Sequence, residues 1–193
     1  VTVQLEQWGA FTEITDVVND LAEDPVLSDA SMLAGEQAAE TIEIATWGAV
    51  RAGTNVSYSN GSSRSDVNTA ISLDDQRSIT RTLKANRGRK HTSMVSGSPN
   101  YETYPVAPAF IAFAHTDLEA DIRDMPGFTP TEQYGSMDAL PHEIGKVEDV
   151  RYVLSPVLDN YEGAGATTLN GMVSTGGTNV DVYPVVYVAK DSY

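Results

Sequence analysis

The sequence predicts an α+β chain, helical early and rich in strands late. Three observations point there. Phe11, Ile14, Val17, Val18 and Leu21 recur at three- to four-residue steps, the spacing of one helix face. Short apolar or alternating runs gather after residue 108: Ala109–Ala114, Val147–Leu154 and Val182–Ala189. The 193 residues, 41% hydrophobic and 20% charged, suit a folded chain of one domain, two at most.

Taken in order, Val1-Thr2-Val3-Gln4-Leu5 alternates like a strand covering about residues 1–6. There is neither an initiator Met nor a basic leader, and we expect further sequence upstream. A helix is expected over about 11–23, ended by Pro25, which lacks an N–H and restricts the residue before it. A longer helix should run from about Ser28 to Ala52. Ser28 or Asp29 would cap it, an Ala-rich middle would favour it, and Gly53 would stop it. Residues 54–71 read as two short strands around the turn-forming Asn60-Gly61-Ser62-Ser63.

Ser72 is the expected cap of a helix over 73–87, with Asp74 and Asp75 in its first turn and Asn86 or Gly88 at its end. Pro99, Pro105 and Pro108 make 91–108 a long irregular connection. Ala109–Ala114 should be a buried strand. Thr116-Asp117-Leu118-Glu119 has the capping-box pattern and opens a helix carrying Leu118, Ile122 and Met125, ended by Pro126-Gly127. Val147–Leu154 and Val182–Ala189 are read as strands, the last at an edge or starting late because of Pro184. The Gly-, Thr- and Asn-rich stretch 163–179 between them is an exposed loop or hairpin tip.

Composition excludes several kinds of chemistry. With no Cys there is no disulfide, thiolate metal site or Cys nucleophile. No run approaches about 18 uninterrupted apolar residues, so no transmembrane helix is expected. A phosphate-cradling glycine loop is absent, and Ser96-Gly97-Ser98-Pro99 is a turn rather than a nucleophile elbow. Of the three histidines, His91, His115 and His142, only His115 sits in a suggestive cluster, with Asp117, Glu119 and Asp121. Positions i, i+2 and i+4 do not share a helix face, and Asp117 and Glu119 are explained by the helix start. The cluster is therefore read as structural, with an acidic metal-dependent hydrolase built on His115 as the alternative. His142-Glu143 is read as a surface pair.

Charge is more informative. Twelve bases against twenty-seven acids give a net charge of −15, which repels phosphates and disfavours wrapping nucleic acid or an anionic membrane. Residues 1–50 hold ten acids and no base. Six of the twelve bases (Arg77, Arg81, Lys84, Arg87, Arg89 and Lys90) then fall in one stretch without an acid. Arg77, Arg81 and Lys84 share a helix face. This stripe is either a solvated face or a candidate assembly contact for an acidic surface, and the acidic surface at hand is another copy of the chain.

Several ordered runs carry a resemblance: Gln7-Trp8-Gly9-Ala10, Asp16-Val17-Val18-Asn19-Asp20-Leu21, Gly35-Glu36-Gln37-Ala38-Ala39-Glu40-Thr41 and Arg51-Ala52-Gly53-Thr54-Asn55-Val56, then Leu83-Lys84-Ala85-Asn86, His115 to Arg123, and Gly145 to Tyr152. Spread over about residues 1–190, they make the chain similar to the major capsid proteins of tailed bacteriophages, in the family named for the podovirus N-four coat protein. The resemblance implies the Hong Kong ninety-seven-type capsid fold. Residues 28–52 would be its long spine helix, 1–71 part of the peripheral domain, and 72–193 mostly the axial domain. The flanking arm, extended loop and closing C-terminal strands are expected in sequence outside this chain. It further implies a structural protein without catalytic residues or cofactors, which assembles with itself as hexamers and pentamers. The product would be an icosahedral shell around double-stranded DNA in the virion, built in the host cytoplasm. Decoration, scaffolding and portal proteins would be further partners.

Overall fold

The computed structural model describes residues 7–17, 25–95, 103–135, 138–167 and 171–191. The chain divides into two compact units, Val1–Thr46 and Trp47–Tyr193. The strand expected at 1–6 lies outside the described residues. Residues 7–15 are irregular, and helix appears only at 16–17, with 18–24 again outside the description. The helix expected from residue 11 thus starts later. Asp16 accepts a hydrogen bond from the Val17 N–H, the local side-chain bond that places Asp at helix starts rather than interiors.

Helix α1 (Val26–Arg51) starts two residues before the expected Ser28. The Pro25 carbonyl accepts from the N–H groups of Ser28 and Asp29, so Pro25, not Ser28, stands at the cap. At 1.5 Å per residue, α1 is about 39 Å long. Its residues up to Thr46 belong to the first unit, where Leu27, Met32, Leu33 and Ile42 are all more than 60% exposed.

In the second unit, the last turn of α1 is anchored through Trp47. The indole is buried and its Nε1 donates to the Asp159 carbonyl at 3.1 Å. Arg51 and Arg64 both lie over the Tyr161 ring, their guanidinium carbons 5.1 and 3.5 Å from its centre. The two strands expected in 54–71 do not form. In their place are turns and a short 3₁₀ helix at Arg64–Asp66. The Asp66 carboxylate accepts from the Ser62 and Ser63 N–H groups and the Ser63 hydroxyl, taking donors that a hairpin ladder would need. Gly61, at φ +68°, passes so close to Asp66 that a β-carbon would lie 2.2 Å from the Asp66 Cβ.

Helix α2 (Leu73–Ala85) follows the sequence closely. Ser72 accepts from the Asp75 N–H while the Asp75 carboxylate accepts from the Ser72 N–H, each at 3.2 Å. The helix closes with Gly88 N–H donating to Leu83 O and Arg87 N–H to Lys84 O, a Schellman pattern. The left-handed residue there is Arg87, at φ 60°.

The irregular connection expected over 91–108 contains two strands, β1 (His91–Val95) and β2 (Thr103–Ala114), paired antiparallel. β2 has β1 along its first half, and β5 and β6 along its second. Pro105 and Pro108 lie in the half with one described partner strand, where a missing N–H is tolerated. His115 caps a short 3₁₀ turn, Thr116–Leu118, which leads into α3 (Glu119–Arg123). The cap is therefore the His115 ring, whose Nδ1 accepts from the Asp117 N–H at 3.1 Å, rather than the expected box from Thr116.

The segment read as one strand, Val147–Leu154, is a hairpin. β4 (Glu143–Val147) turns through Glu148-Asp149 into β5 (Val150–Leu154), with Val147 opposite Val150 and Glu148 at φ 50°. β3 (Phe128–Pro130) flanks β4, and β6 (Val186–Val188) starts two residues after Pro184. The sheet runs β1-β2-β5-β4-β3 with β6 on β2, and the β2–β5 pair alone is parallel among the described strands. One face gathers Phe110, Ala112, Ala114, Val147, Val150, Tyr152 and Leu154 with Ile122 of α3 and Met125 just beyond it. Each fully buried large apolar side chain there contributes roughly 1.5–3 kcal/mol. Leu73 and Leu83 bring α2 onto this core.

Candidate assembly surface

The basic stripe occupies one side of α2 and the residues just beyond it. Half of it is engaged within the chain. Arg77 Nε donates to Glu148 Oε1 at 3.0 Å, and Lys84 and Lys90 reach Asp149 Oδ2 at 2.8 and 2.9 Å. The β4–β5 turn is thus gripped by three cations from α2 and the segment after it. The Arg77 hydrogen bond holds the Glu148 carboxyl below its usual range, and those from Lys84 and Lys90 do the same for Asp149. These pairs are exposed, so each is worth little alone. The turn went unread because Val147-Glu148-Asp149-Val150 looks like strand interrupted by charge. Two acids between paired valines, opposite a basic helix face, were the signal.

The other half of the stripe is open. Arg81, Arg87 and Arg89 are exposed and form no ion pair among the described residues. Arg89 bridges backbone to backbone with Lys190, whose N–H donates to the Arg89 carbonyl at 2.8 Å. Lys190 is also exposed and without an ion pair among the described residues. Two cations therefore face each other across this bridge, an arrangement that is unfavourable on its own.

Two buried polar groups, Gln76 on α2 and Glu143 on β4, are held against the sheet. Gln76 is 1% exposed; its Nε2 donates to Val147 O at 2.9 Å and its Oε1 accepts from the Tyr152 hydroxyl at 2.7 Å. Tyr152 also meets the Tyr187 hydroxyl at 3.0 Å, and burial pushes the Tyr187 phenol up to about 12. Glu143, expected at the surface beside His142, is buried. Its Oε1 accepts from Tyr134 Oη at 2.5 Å, and its Oε2 accepts from the Leu140 N–H at 2.7 Å and lies 3.6 Å from Arg151 Nη1. Its strand position turns it inward, whereas His142, at φ 59°, stays outside. Burial and this carboxylate hold the Tyr134 phenol protonated far above its ordinary range. Sequence reasoning missed the pair because Glu143 and Arg151 meet only through the hairpin register.

Of the His115 cluster, Asp117 stays beside the ring, its Oδ2 3.3 Å from His115 Nδ1. The Asp117 Oδ2 accepts from Tyr183 at 2.7 Å, Glu119 pairs with Arg123 at 2.8 Å, and the Asp121 carboxyl is raised by burial and by neighbouring Asp124. No group of three or more His, Asp or Glu among the described residues is arranged to hold a metal ion. The hydrolase alternative gains no support. No described helix is long and apolar enough to cross a membrane.

The phage capsid protein family matches the chain over residues 1–191. The chain belongs to that family, which makes it a structural protein of the phage particle. No curated protein matches it.

Proposed function

We propose that this chain is the repeating subunit of a phage shell, the major capsid protein of a tailed bacteriophage. The observation that carries the reading is the family match along residues 1–191. On this reading α1 is the spine helix of a Hong Kong ninety-seven-type fold. Residues 1–71 belong to the peripheral domain and 72–193 mostly to the axial domain, whose copies meet at the centre of hexamers and pentamers. Shells assembled in the host cytoplasm then enclose double-stranded DNA, with scaffolding, decoration and portal proteins as partners. The charge of −15 suits a container that holds DNA without gripping a sequence, because its net field repels phosphate. Negative-stain microscopy of the expressed full-length protein tests this. Closed shells of uniform diameter are expected, and a protein that stays monomeric under all salt conditions would refute it.

A further inference from the structure

Two surfaces of the chain carry charge that the chain itself leaves unanswered. On α1, Asp29, Glu36 and Glu40 are spaced seven and four apart, which puts them within an arc of about 40° along about 17 Å of helix. All three are exposed and make no ion pair among the described residues. No base occurs in the sequence before Arg51 to neutralise them. Apolar Met32 and Leu33, each 62% exposed, lie between them along the helix. The second surface is cationic: Arg87, Arg89 and Lys190, where like charges oppose each other across a backbone bridge. Each surface is repulsive within itself, and each has the sign the other lacks.

We propose that the cations at Arg87, Arg89 and Lys190 of one copy dock on the Asp29-Glu36-Glu40 row of α1 in the next copy. This contact deepens the shell-subunit reading and rests on it. Two different patches joined in this way form a heterologous contact, the head-to-tail kind that closes into rings or continues into larger assemblies. The apolar neighbours Met32 and Leu33 would be covered at the same step, while charge sets partner and register. Arg77, Lys84 and Lys90 take no part, because the Glu148-Asp149 turn already holds them. Duplex DNA is the competing occupant of the cationic patch, and the chain's overall negative charge disfavours it.

The test reverses each surface in the full chain. Arg89→Glu with Lys190→Glu keeps a like-charged pair across the bridge, so folding is perturbed little. Glu36→Lys with Glu40→Lys reverses the other side on exposed helix positions. Circular dichroism checks the fold, sedimentation velocity reads assembly, and binding of a random-sequence duplex is measured alongside. Each double variant should lower particle yield about tenfold or more, and the chain carrying all four reversals should recover it. Wild-type yield from both double variants would overturn the inference and leave the shell reading standing. A wild-type chain that never assembles would overturn the shell reading, and this contact with it. Normal particles together with lost duplex binding in Arg89→Glu/Lys190→Glu would assign the patch to DNA instead and overturn the inference.

Discussion

The helix of the first unit and the sheet of the second are stabilised in opposite ways. From Val26 to Thr46, α1 has large apolar side chains in the open, Leu27 at 64% and Ile42 at 67% exposed, and its order rests on propensity and its own ladder. Most helical stability in proteins comes from packing of an apolar face, and these side chains leave that contribution unused. In the second unit, Phe110, Ile122, Val147, Val150 and Tyr152 have no exposed surface, and the buried Gln76 and Tyr152 are hydrogen-bonded to each other. The difference teaches that the second unit is complete in itself, whereas α1 has a face suited to being covered by something else.

The contrast breaks most visibly at Glu143. Glu143→Ala leaves Arg151, 2% exposed, as an uncompensated buried cation, and should cost about 3–5 kcal/mol of unfolding free energy. Urea titration followed by near-ultraviolet circular dichroism measures it; a loss below about 1 kcal/mol would mean that the pair is not buried as described. Next comes Tyr152→Phe, which removes the donor to Gln76 Oε1 and should cost about 1–3 kcal/mol by the same titration. In the first unit propensity should decide instead. Gly35 lies inside α1 with nothing within 4 Å of where a β-carbon would sit. Gly35→Ala is expected to raise helicity at 222 nm by an amount equivalent to roughly 1 kcal/mol of helix stability, without moving the urea midpoint of the sheet.

The smallest effect is acid sensitivity of the β4–β5 turn. Glu148 and Asp149 have folded pKa values below their unfolded ones, through Arg77 and through Lys84 and Lys90. The stability they contribute is therefore fully present above the ordinary carboxylate range, and is lost as pH falls through that range to the lowered folded values. Urea midpoints measured between pH 6 and pH 3 should fall slightly less steeply in Glu148→Gln/Asp149→Asn than in the wild type. Identical slopes would show that the clamp is only solvated charge.

Much local chemistry was legible, although the caps at Pro25 and His115 were not. Ser72 with its first-turn acids, the apolar Ala109–Ala114 run, the delaying Pro184 and the helical-then-stranded order all read directly from neighbours in sequence. What stayed hidden depended on partners distant in sequence. Pro105 and Pro108 argued against a strand because their position in the half of β2 with a single described partner is a fact of topology. Residues 54–71 alternate plausibly, yet Asp66 captures the backbone donors that strands require. Glu143 reads as a surface acid until the hairpin register sets it beside Arg151. The six bases were visible as a stripe. Their division into three held by the Glu148-Asp149 turn and three left open was not, because that turn had been read as the interior of a strand.

The bridge between Arg89 and Lys190 joins residues about a hundred apart in sequence, and pairings so distant form late in folding. During synthesis, Arg89 leaves the ribosome long before Lys190 exists to meet it. A nascent chain thus carries the acidic row of α1 from early on, but acquires the opposed cation pair only when nearly all of its described sheet has been made. On the proposed contact, a chain stalled or truncated before residue 190 would present the acidic row with Arg87 and Arg89 but without the bridge that sets Lys190 beside them.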